Sequence, residues 1–180
     1  MKVRWLLKGF GEPTPVGEFK EAVGRALAKL RGASVPDPFL RPFSYKGLEV
    51  SVDYSAEFDE MEGETVATGL EVWASGECDP GKLEDMAAIA EEIFSAVKEG
   101  LGMIATWSEA VQAKLDTPMD PLQLITFRFG GRLVEAHQPA NGGMAIVVYG
   151  NAREAAAVVP EAMKMVEEVV SLLRSRERQK

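Results

Sequence analysis

The stretch LEVSVDYSAEF, residues 48–58, decides the fold of this chain, because apolar and polar side chains alternate along it. A repeat of two residues is typical of a β-strand with one buried face and one wet face. A second apolar-rich run, residues 66–74, follows the polar turn at residues 59–64. The two runs therefore predict a long antiparallel hairpin, with Trp73 on the face opposite Val72.

Helical spacing precedes and follows this hairpin. Thr14 and Pro15 suit the start of a helix, and apolar residues then recur every three or four positions as far as Gly32. After the hairpin, Asp79 and Pro80 predict the start of a helical region that continues to residue 115. We expect this region to break between residues 100 and 106 and to form two helices, because two glycines and a capping box lie there.

The remaining segments predict more strands and one closing helix. Residues 34–42 read as a proline-rich loop and residues 116–121 as a turn. The run at residues 144–149 is apolar throughout, which favours a strand covered on both faces. A helix is expected over residues 151–178, and Pro160 either kinks it or marks the start of its main segment. Four further strands are expected, at residues 2–10, 122–129, 132–136 and 144–149.

The order β-α-β-β-α(α)-β-β-β-α indicates an α+β fold in a single domain over residues 1–180. We expect a mixed, largely antiparallel sheet of about five or six strands, packed with three or four helices. The first six elements match the order of a ferredoxin-like β-α-β-β-α-β unit, with the remaining strands and the last helix as a C-terminal extension. Other windings fit the same order.

Charge is segregated along a chain whose net charge is −8. Residues 1–46 carry nine Lys or Arg against four Asp or Glu, residues 47–120 carry three against eighteen, and residues 121–180 carry eight against six. Basic and acidic elements either neighbour each other within one fold, or an acidic face of one copy meets a basic face of the next in a head-to-tail oligomer. The acidic excess argues against nucleic acid as a partner.

A single cysteine and a single histidine limit the chemistry that the chain can carry. Cys78 cannot form an intramolecular disulfide or a thiolate metal cluster, and His137 alone cannot build a His-rich metal site. The first residues interleave charge with apolar side chains, unlike a signal peptide, and no apolar run is long enough to span a bilayer. These features predict a cytoplasmic chain with no membrane partner, no metal and no cofactor.

Acidic and glycine-rich turns are candidate ligand sites with simpler explanations. The acidic tip at residues 57–64 resembles a cation site, but Met61 stands where a calcium loop requires an oxygen ligand, so we expect a solvated tip. The glycine pairs at residues 130–131 and 142–143 lack the spacing of phosphate-binding loops. We expect both pairs to form hairpin turns.

Isolated polar residues offer no evident catalytic arrangement. His137 stands at a strand end beside a loop but has no evident nucleophile, so no catalytic residue is assigned. Cys78 precedes a helix start, but the carboxylate of Asp79 opposes thiolate formation, which favours an ordinary thiol. A small enzyme would need polar side chains that converge in a pocket, for example Asp53, Arg128 or His137.

Aromatic and basic side chains form the candidate interface. Trp73 lies on the wet face of the hairpin, and Phe39 and Phe43 belong to the proline-rich loop region. Such aromatics mark either a contact surface or packing within the chain. The basic end of the last helix either complements the helix dipole or docks on an acidic partner. Its arginines are Arg174, Arg176 and Arg178.

Over about residues 15–150, the order of helix, long hairpin, helix begun by Asp79 and Pro80, and further hairpin is similar to that of phage tail-terminator proteins, which form rings. The same order resembles the secretion-chaperone fold, whose members are dimeric and acidic. Both resemblances are of element order alone, so they imply an assembly or adaptor role and assign no residue.

We therefore expect a non-enzymatic assembly or adaptor protein that acts through an oligomeric or protein-partner interface, with self-association. The segregated charge, the long hairpin and the aromatic side chains support this expectation. The alternative is a small enzyme or a small-molecule-binding module with a pocket between the sheet and the helices.

Overall fold

A computed structural model describes residues 1–32, 35–102, 112–119, 125–137 and 144–177. The described residues form an α+β fold, as predicted, and a short 3-10 helix, Pro80–Lys82, leads into the second α-helix. The helices are α1 Val16–Arg31, α2 Leu83–Gly102 and α3 Ala152–Glu177. The strands are β1 Lys2–Pro15, β2 Phe43–Tyr45, β3 Leu48–Asp59, β4 Glu64–Glu77, β5 Gln112–Met119, β6 Ile125–Phe129, β7 Arg132–His137 and β8 Met144–Gly150.

The described strands lie in the order β2-β3-β4-β1-β5-β8-β7-β6, and every neighbouring pair is antiparallel. The sheet of the described residues is therefore antiparallel throughout and not mixed, in contrast to the prediction from the sequence, because β4 returns between β1 and β3 and separates the two parallel strands. β5 pairs with β1 on one side and with β8 on the other, and so joins a four-stranded half to a three-stranded half. β4 lies between β1 and β3, and β1 lies between β4 and β5. This is the split arrangement of a ferredoxin-like unit, which β6, β7, β8 and α3 extend.

The core lies between one face of the sheet and the three helices. Alternate residues along each strand share a face, so Trp5, Val50 and Val72 point together toward the helix layer and are fully buried. α1 packs on α2, and α2 packs on α3. Burying one large apolar side chain contributes about 1.5–3 kcal/mol, so the side chains of this layer contribute most of the favourable free energy of folding.

Residues 112–119 form a strand. The predictions of a helix that continues to residue 115 and of a turn at residues 116–121 are therefore wrong for this segment. α2 ends at Gly102, and β5 then spans Gln112–Met119, while residues 103–111 lie outside the described part of the chain. In β5, Ala113 and Leu115 alternate with polar residues, so they fit a period of two as well as a helical spacing. β5 also pairs with the edge of β1, an interaction that a local pattern cannot reveal.

β2 is the other strand that the sequence did not predict, and it brings the described strands to eight rather than five or six. Phe43 and Tyr45 pair with Val50 and Leu48 across a two-residue turn. The turn residues Lys46 and Gly47 have φ angles of 47° and 87°. Positive φ at both positions is the turn geometry that fits strand twist, although three residues are too few to show a period in sequence.

The long hairpin and the second hairpin are confirmed. β3 pairs with β4 from Glu49 to Asp59, and β6 pairs with β7 across Gly130 and Gly131. Both glycines have positive φ, 54° and 77°, as a tight hairpin turn requires. Residues 142–143, the other glycine pair, lie outside the described residues.

β8 and α3 settle two further predictions. Val147 points away from the helices and its neighbours Ile146 and Val148 point toward them, yet all three are fully buried, so β8 is covered on both faces as predicted. α3 begins at Ala152 and continues through Pro160, so the alternative in which Pro160 marks its start is wrong. Among the helices of the described residues, none combines the length and the apolar character needed to cross a membrane.

Candidate protein-interaction site

The far end of the β3–β4 hairpin, residues 57–64, forms a hairpin arm. Within the described chain, Phe58 and Asp59 pair only with Thr65 and Glu64 across the hairpin. β1 reaches β4 only as far as Val66, which pairs with Pro15. The arm therefore extends past the neighbouring strand with its backbone supported by the hairpin alone.

The tip of the hairpin arm is a well-formed turn. Asp59 Oδ1 accepts hydrogen bonds from the backbone N–H groups of Met61 and Glu62, at 2.8 Å and 3.3 Å. The Gly63 N–H donates to the Asp59 carbonyl oxygen at 2.8 Å, and Gly63 has a φ of 68°, which glycine adopts without steric cost. These bonds hold the tip in one conformation, so a partner would not have to order it.

Two apolar side chains on the hairpin arm face solvent. Met61 is 93% exposed and Phe58 is 64% exposed, although both are large and apolar. They stand among five carboxylates, Glu57, Asp59, Glu60, Glu62 and Glu64. In the described residues, no three acidic, histidine or cysteine side chains are arranged to hold a metal ion. The arm thus presents apolar contacts inside a strongly negative field.

A groove of about 550 Å³ runs between α1 and α2. Small residues form its floor, because α1 and α2 approach closely where Gly100 faces Ala26. Arg25 and Lys29 line one side and Glu99 lines the other. We call this feature the α1–α2 groove. The groove is an apolar trough with a basic side. It therefore suits a partner segment in which an apolar side chain is flanked by acidic ones.

Trp73 lies on the sheet face opposite Val72, as predicted, and so points away from the described helices. It is half-buried, and the Arg4 guanidinium lies 4.5 Å from its ring centre, within range of a cation–π contact. Beside it, Lys8 and Glu71 form an ion pair of 2.8 Å across β1 and β4. These contacts within the chain account for part of the Trp73 surface, and its role in an interface stays a prediction.

Phe39 and Phe43 pack inside the chain. The Phe39 ring lies 5.9 Å from Phe19 and 5.5 Å from Tyr54, and Lys20 lies over the Phe39 ring at 5.4 Å. Phe43 is 5% exposed and points into the core from β2. Such aromatics mark either a contact surface or packing within the chain, and the described contacts of Phe39 and Phe43 are those of packing within the chain.

The basic end of α3 is described only in part. Arg174 and Arg176 belong to α3, whose backbone is described to Glu177, but their side chains lie outside the described part. Arg178 lies outside the described residues altogether. A docking role for these arginines therefore stays a prediction.

The polar residues named for an enzyme do not meet at one place. Asp53 lies on β3, whereas His137 and Arg128 lie on β7 and β6 at the other side of the sheet. Neighbouring strands are spaced by about 4.8 Å, so β3 and β7 are separated by roughly 24 Å. Cys78 is buried, and burial raises the pKa of its thiol, which keeps it in the neutral form.

Sequence reasoning missed the α1–α2 groove and undervalued Phe58 and Met61. Phe58 continues the apolar face of β3, so its exposure follows only from the position of the hairpin end beyond the helix layer. In sequence, Met61 marks only the place of a missing cation ligand, whereas the structure shows an exposed apolar group. Small residues at helical spacing, Ala22 and Ala26, are the sequence signal that could have indicated a close helix contact.

Comparisons with known protein families, with characterised proteins and with solved structures find no match for this chain.

Proposed function

We propose that this chain is a non-enzymatic assembly or adaptor protein that acts through a protein–protein interface and associates with itself. The observation that carries the proposal is the hairpin arm, which exposes Phe58 and Met61 on a preformed turn. These side chains contribute little to the core in the positions they occupy. Exposed large apolar groups at a protruding tip are typical of contact sites.

The charge and composition of the chain support a protein partner. A net charge of −8 disfavours polyanions, since binding them requires clustered cations that neutralise phosphates. The proposal places the chain in the cytoplasm, where its one cysteine, Cys78, would stay reduced. The element order predicted from the sequence is similar to that of ring-forming tail terminators and dimeric secretion chaperones, and this resemblance is consistent with an assembly role.

The solution molar mass of the purified chain tests the proposal. We expect light scattering on a sizing column to give a mass above the 19.6 kDa of one copy, and we expect that mass to fall at high salt. The salt dependence follows because charged groups guide the contact. A mass of one copy at both salt concentrations, over a wide range of protein concentration, would sink self-association.

A further inference from the structure

We propose that the hairpin arm of one copy docks in the α1–α2 groove of the next copy, giving a head-to-tail assembly. This inference rests on the proposed function and names its interface. The arm and the groove are different surfaces, and the groove is lined by residues of α1 and α2 alone in the described chain. Each copy therefore offers one donor surface and one acceptor surface.

Charge complementarity favours this pairing. The hairpin arm carries five carboxylates and no cation over residues 57–64. The lining of the groove carries two cations, Arg25 and Lys29, against one carboxylate, Glu99, although the chain as a whole is acidic. Lys29 and Arg25 project along the groove and are exposed. Opposite potentials on two surfaces raise the rate of encounter and fix the orientation of docking.

The apolar parts are also complementary. Met61 projects from the middle of the tip between Glu60 and Glu62, and the groove places an apolar floor beside two cations. A methionine side chain is unbranched and flexible, so it adapts to a shallow trough lined by small residues. Docking would place Met61 over Ala22 and Ala26 and its acidic neighbours beside Arg25 and Lys29.

One existing ion pair competes with docking but does not prevent it. Arg25 Nη1 lies 3.1 Å from Glu21 Oε1 within α1, and both side chains are about two-thirds exposed, at 65% and 66%. Exposed pairs of this kind contribute little to stability and are easily exchanged. Lys29 is not part of this pair and is available at the groove.

When two copies meet through two different surfaces, the pair still has unoccupied binding surfaces. After one arm has docked, one groove and one arm remain open, so copies add until the rotation between them closes a ring or a filament grows. Eight residues are a small donor surface compared with about 20–30 residues a side in stable interfaces, so each contact is weak and salt-sensitive.

Two double variants test the docking. Phe58→Ser with Met61→Ser removes the apolar part of the arm, and Arg25→Glu with Lys29→Glu reverses the charge of the groove. We expect each variant to have the mass of one copy, whereas the wild type is larger. Mixing the two variants leaves one intact arm and one intact groove, so a 1:1 complex with the mass of two copies should form.

Matched controls separate the interface from general effects of charge and polarity. Lys82→Glu with Lys98→Glu makes the same charge change at exposed positions outside the groove, and Leu40→Ser with Leu172→Ser removes exposed apolar side chains elsewhere. Both controls should keep the wild-type mass. Thermal unfolding of every variant should match the wild type when all are diluted until the wild type is a single copy, because association itself raises the melting temperature. If the arm variant alone melts differently, a second arm variant, Glu60→Gln with Glu62→Gln, replaces it in the test. This variant keeps the apolar side chains and should weaken association at low salt.

The outcomes distinguish the inference from the proposed function. An oligomer that persists in both the arm variant and the groove variant overturns the docking, while assembly through another surface stands. Loss of assembly on Trp73→Ala, with no effect of the arm variant, would assign the interface to the sheet face that carries Trp73. Loss in the arm variant but not in the groove variant overturns the α1–α2 groove as the acceptor. A wild type that is a single copy under all conditions overturns the docking and the self-association, and leaves of the proposed function only an adaptor that binds a different protein.

Discussion

At the scale of single residues, close contacts between backbones depend on the absence of side chains. Gly100 on α2 faces Ala26 on α1, and a Cβ added to Gly100 would lie 2.6 Å from the Ala26 Cβ and 3.3 Å from the Ala22 carbonyl oxygen. Carbon atoms in favourable contact are about 3.5–4.0 Å apart, so such an atom would not fit. The approach of α1 to α2, and with it the α1–α2 groove, depends on this glycine.

Gly100→Ala should therefore lower the free energy of unfolding by about 1–3 kcal/mol, the range for overpacked sites. This is the reverse of the gain of about 1 kcal/mol that alanine brings to a helix without steric conflict. Gly24→Ala in α1 is the matched control, because nothing lies within 4 Å of the added Cβ there. Denaturant unfolding compares the two, and an equal gain at both positions would contradict the close contact.

Lys46 and Glu92 form an exposed pair whose pKa values report its geometry. Lys46 Nζ lies 2.7 Å from Glu92 Oε2, and this hydrogen bond raises the pKa of Lys46 and lowers the pKa of Glu92. The contribution of charged Lys46 to stability is complete when the pH is below the ordinary lysine pKa of 10.5. It is lost as the pH rises through the raised pKa of Lys46 in the folded chain. The contribution of charged Glu92 is complete when the pH is above the ordinary glutamate pKa of 4.5, and it is lost as the pH falls through the lowered pKa of Glu92 in the folded chain.

Glu92→Gln removes the charge of the main partner, so the pKa of Lys46 should fall toward 10.5. An NMR titration of the Lys46 side chain measures this change. Because the pair is exposed, we expect little change in the free energy of unfolding at neutral pH. Glu84→Gln, in the first turn of the same helix, should leave the Lys46 pKa where it is in the wild type. A Lys46 pKa unmoved by Glu92→Gln would show that the hydrogen bond does not persist in solution.

At the scale of elements, α2 and α3 are linked through the start of α3. Glu91 Oε1 on α2 accepts a hydrogen bond of 2.7 Å from the Ala152 N–H, and Asn151 Oδ1 accepts one of 2.9 Å from the Glu154 N–H. Ala152 is fully buried, so its N–H requires a partner. A carboxylate also suits the positive end of the helix dipole. Glu91 thus fixes the start of the extension against the ferredoxin-like unit.

We expect Glu91→Ala to lower the free energy of unfolding by about 1–3 kcal/mol, because it leaves a buried N–H group without an acceptor. Glu161→Ala, at an exposed position within α3, removes the same charge without removing a described bond and should cost less than about 0.5 kcal/mol. Thermal or denaturant unfolding measures both. Equal effects would indicate that the cap does not form in solution.

The elements that the sequence predicted are those with a clear local period. The β3–β4 hairpin alternates over many residues, and α1 and α2 repeat their apolar residues over several turns. β2 is too short to show a period, and β5 pairs with strands that are distant in sequence. For the interaction site, local patterns indicated the acidic tip, but the exposure of Phe58 and the groove floor depend on packing between distant segments.

At the scale of the whole molecule, the segregated charge is used in two ways. The ion pairs Lys8–Glu71 and Lys46–Glu92 join the basic first segment to the acidic middle segment within one copy. The basic side of the α1–α2 groove and the hairpin arm lie on separate surfaces, and the proposed docking joins them between copies. Neighbouring within the fold and pairing between copies are therefore compatible.

The central place of β1 also governs how the chain can fold. The hairpin β3–β4 closes locally, on the scale of about 1–10 µs for such turns, whereas β1 pairs residues as distant in sequence as Arg4 and Asp116. Closing so long a loop is slow, because its entropy is lost before the contact forms. Until β5 arrives, the free edge of β1 is a template for strands of other molecules. We therefore expect dilute conditions to favour refolding, because aggregation competes with closure of this edge.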